Sequence, residues 1–200
     1  MAGSVPRPPA EEVSEAGSED DLLVERFTRG DRSAFDQIVT NHYARVAGLA
    51  RRLLGWDDDV ADVVQEVFLS ALQNLPTFRR RASLSTWLTT ITVNACRRHR
   101  RRWFLRRRLI GLPGGTLRPA SRETADRRTS DREMLDRLRT AVRALPNRYR
   151  EVIVLRYLEE LPIRQISEVL GIAPNAVEVR LTRARRRLAE RLADLAEETS

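Results

Sequence analysis

IRQISEVLGIAPNAVEVRLTRARRRL, residues 163–188, decides the fold of this chain. It reads as two short helices around a sharp turn. The first runs Ile163–Leu170, with Ile166, Val169 and Leu170 on one apolar face. Gly171 stands at the turn, where glycine accepts a left-handed backbone without steric cost. Ile172 plugs the turn. Pro174 suits the first position of the next helix, because an N–H there has no intrahelical partner to lose. Val177, Leu181, Ala184 and Leu188 then recur at i, i+4, i+7 and i+11 and make one apolar stripe. The opposite face carries Asn175, Val179, Thr182, Arg183 and Arg186, flanked by Glu178, Arg180 and Arg187. Such groups pair with base edges and phosphates, and they lie on the side that does not pack. An arginine-rich face taken alone is usually only a solvated face. A glycine-centred turn between a short apolar helix and a basic one is a helix-turn-helix, so this segment is expected to bind DNA. Ser167 departs from the alanine usual at its position, and a serine still fits.

The 200 residues leave room for one or two small domains, and a hydrophobic fraction of 42% with only 6% aromatics suits small helical cores. All 36 basic residues are arginine. A G+C-rich genome explains this more simply than selection for bidentate phosphate binding, since arginine also sits where no partner is evident. The net charge of +8 is one local block: residues 97–108, RRHRRRWFLRRR, hold eight arginines and no acid, and the rest of the chain is neutral. Such a block points to a polyanion. Anionic lipid is the rival, because Trp103, Phe104 and Leu105 interrupt the run, but the helix-turn-helix favours nucleic acid.

Cys96 is the single cysteine, which excludes an intramolecular disulfide and a cysteine-cluster zinc site. Cys96 and His99 share a helix face, yet two ligands make no structural metal site, so neither metal nor cofactor is expected. The longest apolar run, VIVL at 152–155, is far short of the roughly 20 residues that span a bilayer. The prolines and acids of the N-terminus do not make a signal peptide. A cytoplasmic protein without membrane insertion is expected.

Along the chain, residues 1–19 are rich in Pro, Ser, Gly, Ala and Glu and read as a disordered tail. Residues 20–108 are helical in pattern throughout. Leu22, Leu23 and Phe27 start the first helix, which Gly30 ends, and Ser33 caps the next. That helix carries Phe35, Ile38, Val39, Tyr43, Val46, Ala50, Leu53 and Leu54 until Gly55. Asp57–Asp59 offer caps for a helix bearing Val60, Val63, Val64, Val67, Phe68 and Ala71, which Pro76 stops. A short polar segment precedes a long helix from about Ser85 into the arginine block. Residues 109–130 lose all periodicity and form a flexible linker. A second unit spans 131–192, with a first helix marked by Leu135, Leu138, Val142 and Leu145. Asn147 caps a helix containing Val152, Ile153 and Tyr157, and the helix-turn-helix follows. Residues 193–200 are a tail. The expected fold is all-α: two small helical domains joined by a linker, the C-terminal one a helix-turn-helix.

Three segments carry a resemblance. DVADVVQEVFLSAL (59–72), F-x4-SLSTWL-x2-I-x2-N (78–94) and ALPNRYREVIVLRYLEELPIRQISEVLGIAPNAVEVRLTRARRRL (144–188) resemble, in this order, the conserved parts of bacterial sigma factors of the extracytoplasmic-function (ECF) type, in the sigma-70 family. The resemblance implies that 20–108 is region 2, which docks on polymerase and recognises and melts the minus-ten element. It implies that 131–192 is region 4, which reads the minus-thirty-five element. Asp62, Gln65 and Glu66 would contact bacterial core RNA polymerase. Phe78, Ser83, Leu84 and Ser85 would frame a loop that accepts a base flipped from promoter DNA, which must recover a few kcal/mol of lost stacking. Asn94 would face the single strand, while Arg97, Arg98, Arg101 and Arg102 would hold phosphates. Trp87 and Ile91 fit a core role better than base stacking. In the recognition helix, Asn175, Val179 and Arg183 are the expected base contacts, with Glu178, Arg180, Thr182 and Arg186 around them. Glu178 departs from the basic or neutral residue frequent there. The family also implies an anti-sigma partner, and no catalysis by the chain itself.

Two other classes compete. A stand-alone helix-turn-helix regulator would need a sensor or receiver domain, usually with strands, and the first 108 residues show none. An enzyme such as a serine recombinase needs a nucleophile in an α/β domain, whereas Ser70, Ser83 and Ser85 lie in or beside helices. P-loop, H-E-x-x-H and paired catalytic acids are absent.

Overall fold

The computed structural model describes residues 12–55, 59–79, 82–109 and 130–197. Its described residues form eight α-helices and no strand: α1 (Glu12–Thr28), α2 (Ser33–Leu54), α3 (Val60–Asn74), α4 (Leu84–Leu109), α5 (Ser130–Ala144), α6 (Asn147–Ile153), α7 (Ile163–Leu170) and α8 (Pro174–Glu197). The all-α expectation holds. The expected linker, apart from its end residues Leu109 and Ser130, lies outside the described residues, as do residues 1–11 and 198–200.

Helices α1–α4 pack side by side around Leu23, Ile38, Leu49, Leu53, Val63, Val67, Leu75, Leu88 and Val93, each at most 4% exposed. Each such side chain contributes about 1.5–3 kcal/mol on burial. The second unit packs α6 and α7 on α8 around Val152, Leu155, Ile166, Val177 and Ala184, all fully buried. The two units share one continuous apolar core: α7 lies against α4, and α6 with the turn after it lies against α2.

Several local expectations need correction. Residues 12–19 are not a disordered tail; they form the first turns of α1. His42 Nε2 meets Asp20 Oδ1 at 2.9 Å, tying α1 to α2. Ser33 is the first residue of α2 and not its cap: its N–H donates to Asp31 Oδ1 at 3.0 Å, so the Asp31 carboxylate does the capping. Hydrogen bonds from Ser33 and Arg26 hold that carboxyl below its ordinary value. Asp59 makes no side-chain cap; its Oδ2 meets His99 Nε2 at 3.0 Å. Asp57 and Asp58 lie outside the described residues. Asn147 also starts its helix without capping it, since the carbonyl of Pro146 accepts from the N–H groups of Tyr149 and Arg150. Leu135 and Leu138 are 50% and 37% exposed, so the core-facing part of α5 begins only at Ala141 and Val142. Tyr157 leaves α6 altogether. It lies on a wide turn, Val154–Leu158, whose hydrogen bonds skip five residues.

Gly55 ends α2 with φ 86°, and a Cβ there would stand 3.1 Å from Arg150 Nη1. The approach matters because Arg150, only 3% exposed, joins the two units. Its Nη1 donates to the carbonyl of Leu53 at 3.2 Å, and its Nη2 donates to those of Leu145, at 3.2 Å, and Arg143. These carbonyls belong to the ends of α2 and α5, where the helix leaves acceptors unpaired and the dipole is negative.

Candidate nucleic-acid interface

The helix-turn-helix is built as its residues foretell. Ile166, Val169 and Leu170 are buried, Ile172 packs against the core, and Gly171 takes φ 66°. Pro174 is the first residue of α8. Val177, Leu181 and Ala184 are buried and Leu188 half-buried against the core. Ser167 does more than fit: its hydroxyl donates to the carbonyl of Ile172 at 2.5 Å, while its own carbonyl accepts from the N–H groups of Gly171 and Ile172. The turn is therefore stitched in both directions.

The outer face of α8 presents Asn175, Glu178, Val179, Thr182, Arg183 and Arg186 to solvent, with Arg180 half-exposed. Val179 is 48% exposed, an apolar group that packing does not explain. Arg186 Nε donates to Glu190 at 2.9 Å along the helix surface, a weak tether for a side chain this exposed.

In the first unit, Ser83 starts α4: its hydroxyl accepts from the N–H of Thr86 at 3.2 Å. Phe78 and Trp87 pack ring against ring, 5.1 Å between centroids and tilted by 44°. Both are half-buried against the core, as is Ile91. Leu84 is a correction: at 3% exposure it belongs to the core and is out of reach of a base. Ser85 receives a hydrogen bond from Arg45 of α2. Arg80 and Arg81, between Phe78 and Ser83, lie outside the described residues. Asn94 and Arg101 are exposed on α4.

The other three arginines expected on phosphates are engaged with carboxylates. Arg98 Nε donates to Glu66 Oε1 at 2.9 Å, and Arg102 Nη2 donates to Glu66 Oε2. Burial works to raise the Glu66 carboxyl, but the hydrogen bonds from Arg102 and Arg98 outweigh it and hold the group below its ordinary value. Asp62, Gln65 and Glu66 share a shallow groove with Leu69, Arg98 and Arg102. Arg97 turns away, towards the second unit: its Nε and Nη2 donate to the two oxygens of Glu151 at 3.1 and 2.7 Å. Glu151 is 5% exposed, and this bidentate pair raises the Arg97 pKa.

Sequence reasoning missed the residues that join the units. Glu159, its side chain 4% exposed, meets Arg45 Nε at 3.3 Å and is also bonded by Arg52. The wide turn after α6 delivers it there. Glu151 carried one readable signal, an acid at the head of the apolar run VIVL. Cys96 is 1% exposed, and burial pushes its thiol up to about 12. Among the described residues, no cluster of three or more His, Cys, Asp or Glu could hold a metal ion.

Comparison with known proteins bears on what these surfaces serve. Residues 38–106 match the family model of sigma-70 region 2, and residues 135–188 match that of sigma-70 region 4. Together they cover more than half of the chain. The chain belongs to the ECF sigma factors of the sigma-70 family. It is an RNA polymerase sigma factor. This sigma factor is 30% identical over 179 residues to the ECF RNA polymerase sigma factor SigW of Bacillus subtilis, covering 86% of this chain and 96% of SigW. Its fold resembles that of CnrH in complex with the cytosolic domain of CnrY, with a TM-score of 0.63, 29% identity, and coverage of 88% of this chain and 98% of CnrH. The sigma factor RpoE of Bartonella quintana, solved with the anti-sigma factor NepR, shares the fold at a TM-score of 0.60 and 24% identity, over 80% of this chain and 96% of RpoE. Among the described residues, no helix is long and apolar enough to cross a membrane.

Proposed function

We propose that this sigma factor docks on core RNA polymerase through Asp62, Gln65 and Glu66 of α3 and reads two promoter elements at a fixed spacing. Residues 20–108 act as the unit that engages and melts the minus-ten element, and residues 131–192 as the unit that reads the minus-thirty-five element. In the first unit Phe78, Ser83 and Ser85 frame the site of a flipped base, Asn94 faces the separated strand, and Arg98, Arg101 and Arg102 hold phosphates. Arg97 joins them when the second unit moves away. In the second, Asn175, Val179 and Arg183 meet base edges, with Glu178, Arg180, Thr182 and Arg186 tuning and orienting the contact.

The observation that carries this reading is the outer face of α8: base-pairing side chains and a valine that packing does not explain are exposed on a helix whose opposite face packs into the core. The protein catalyses nothing itself. It works in the cytoplasm beside the polymerase, without metal or cofactor, and answers to an anti-sigma factor, as RpoE is bound by NepR.

Reconstituted transcription with bacterial core polymerase, scored genome-wide for start sites, tests the proposal. Starts that share two spaced motifs, absent with core alone, are the expected result. Tight binding of the isolated protein to duplex sites without any polymerase binding overturns it in favour of a stand-alone regulator.

A further inference from the structure

A cavity of about 460 Å³ lies at the junction of the two units, between the C-terminal half of α4 and the start of α6. It falls within the size range of small-molecule sites, about 300–1,000 Å³. Its charge is one-sided. Arg97, Arg100, Arg101 and Arg150 line it, and the one carboxylate in its wall, Glu151, is already held by Arg97. His99, also in the wall, is bound to Asp59.

Two of these guanidinium groups have donors left over. Arg150 is 97% buried, and its Nε has no hydrogen-bond acceptor, although its two Nη atoms are committed to carbonyls. The Nη2 of Arg100 is likewise buried without an acceptor. Leaving a buried charged donor unpaired costs more than leaving a neutral one. Burial depresses the pKa of both groups, that of Arg150 to about 10, and each lies close enough to other arginines to be disfavoured further. The rest of the wall is of another character: Trp103, Phe104 and Leu54 supply apolar surface, and Asn147 a polar side chain.

We propose that this cavity is a binding site for a small phosphorylated anion of nucleotide size, its phosphates held by Arg100, Arg101 and Arg150 and its ring seated against Trp103. Arginine is suited to this task because it remains charged when buried and its planar fork meets phosphate oxygens two at a time, while Arg150, with both Nη atoms committed, offers its Nε alone. A ligand seated here touches both units at once, since α4 belongs to the first and α6 to the second. It therefore favours the arrangement in which they are packed together.

The test is calorimetric titration of the full-length protein alone, at fixed ionic strength, with GDP, inorganic pyrophosphate, guanosine and sulfate. Binding of GDP and pyrophosphate at one per chain, with guanosine silent and sulfate much weaker, is expected. Arg100→Gln should weaken both ligands by about tenfold or more, and Arg100→Lys should restore part of the loss. Trp103→Ala should weaken GDP and spare pyrophosphate. Circular dichroism and the thermal midpoint of each variant establish that it is folded. Affinity that is unchanged in Arg100→Gln, or that sulfate matches, reduces the effect to attraction by the arginine block and overturns the proposal. Equal GDP affinity in Trp103→Ala overturns the ring seat. Neither polymerase nor promoter is in the assay, so its outcome stands apart from the reading of the DNA and polymerase surfaces.

Discussion

Arg97 of α4 clasps both oxygens of Glu151 of α6, at 3.1 and 2.7 Å, across the boundary between the two units. The same arginine is one of four expected to hold promoter phosphates. It cannot serve both partners at once. In the arrangement described here the guanidinium compensates a nearly buried carboxylate, and releasing it to DNA requires the units to part.

The consequence is a contrast between two arginines four residues apart. Arg97→Ala leaves Glu151 buried without its partner and should lower the stability of the free protein by about 1–3 kcal/mol in urea unfolding. Arg101→Ala touches no carboxylate among the described residues, so stability should hold within about 0.5 kcal/mol. It should instead weaken all promoters alike and flatten the salt dependence of binding. Equal stability of the two variants counts against the inter-unit clasp.

Asp62 is exposed in the first turn of α3. Asp62→Arg should keep the helical signal, cost about 1 kcal/mol through the positive end of α3, and abolish docking on core polymerase, as read by co-purification and run-off transcription. Normal transcription by this variant removes the proposed docking surface.

Arg183 sits outward on α8. Arg183→Ala should cost about 1–3 kcal/mol in promoter binding by the holoenzyme and relax the preference at one base pair of the upstream element. An unchanged promoter logo would remove Arg183 from the base-reading set.

The Ser167 hydroxyl closes the helix-turn-helix onto the Ile172 carbonyl. Ser167→Ala should cost about 1 kcal/mol in unfolding measurements. Gly171→Ala meets no atom within 4 Å, so its cost is that of placing a side chain at φ 66°, about 1 kcal/mol or more. A neutral Gly171→Ala would mean that the turn relaxes to another backbone.

Cys96 reports unfolding. With the thiol buried and pushed up to about 12, thiolate is scarce in the folded protein throughout pH 7–9. In the unfolded chain the group titrates near its ordinary value, about 8.5, and reacts readily. Modification by a thiol reagent should therefore follow the urea unfolding curve at pH 8. Rapid labelling of the native protein would show that α4 opens locally.

The helix-turn-helix was legible almost residue by residue, because its signals are local: a helical apolar period, a glycine at the left-handed position, a proline at a helix start. The inward set Ile166, Val169, Leu170, Val177, Leu181 and Ala184 followed from spacing alone. Helix starts were less legible. Asp31, Pro146 and the bare backbone near Asp59 do what Ser33, Asn147 and Asp59 were expected to do, since a cap depends on which of several adjacent polar groups reaches the free N–H. Leu84 enters the base-accepting loop only through the resemblance, along with Ser83 and Ser85, yet the period of α4 turns it inward. The contacts between the units were hidden for a different reason. Arg97 and Glu151 are 54 residues apart, and Arg45 and Glu159 are 114 apart. Among 36 arginines, no pattern marks which one a distant acid will find.

Glu66 ties the two outward tasks of the first unit to one another. Its carboxylate belongs to the set proposed for polymerase, and the arginines it holds, Arg98 and Arg102, belong to the set proposed for DNA. Whatever cation on polymerase captures Glu66 sets two guanidinium groups loose for phosphate, and whatever phosphate captures those arginines leaves Glu66 in need of a new cation. Each partner thus strengthens the other, by equal factors, as thermodynamic reciprocity requires. In these proposed roles the coupling is small, because Arg98 and Arg102 are half-exposed and surface pairs of this kind are weak, so Glu66 biases the order of assembly without deciding it.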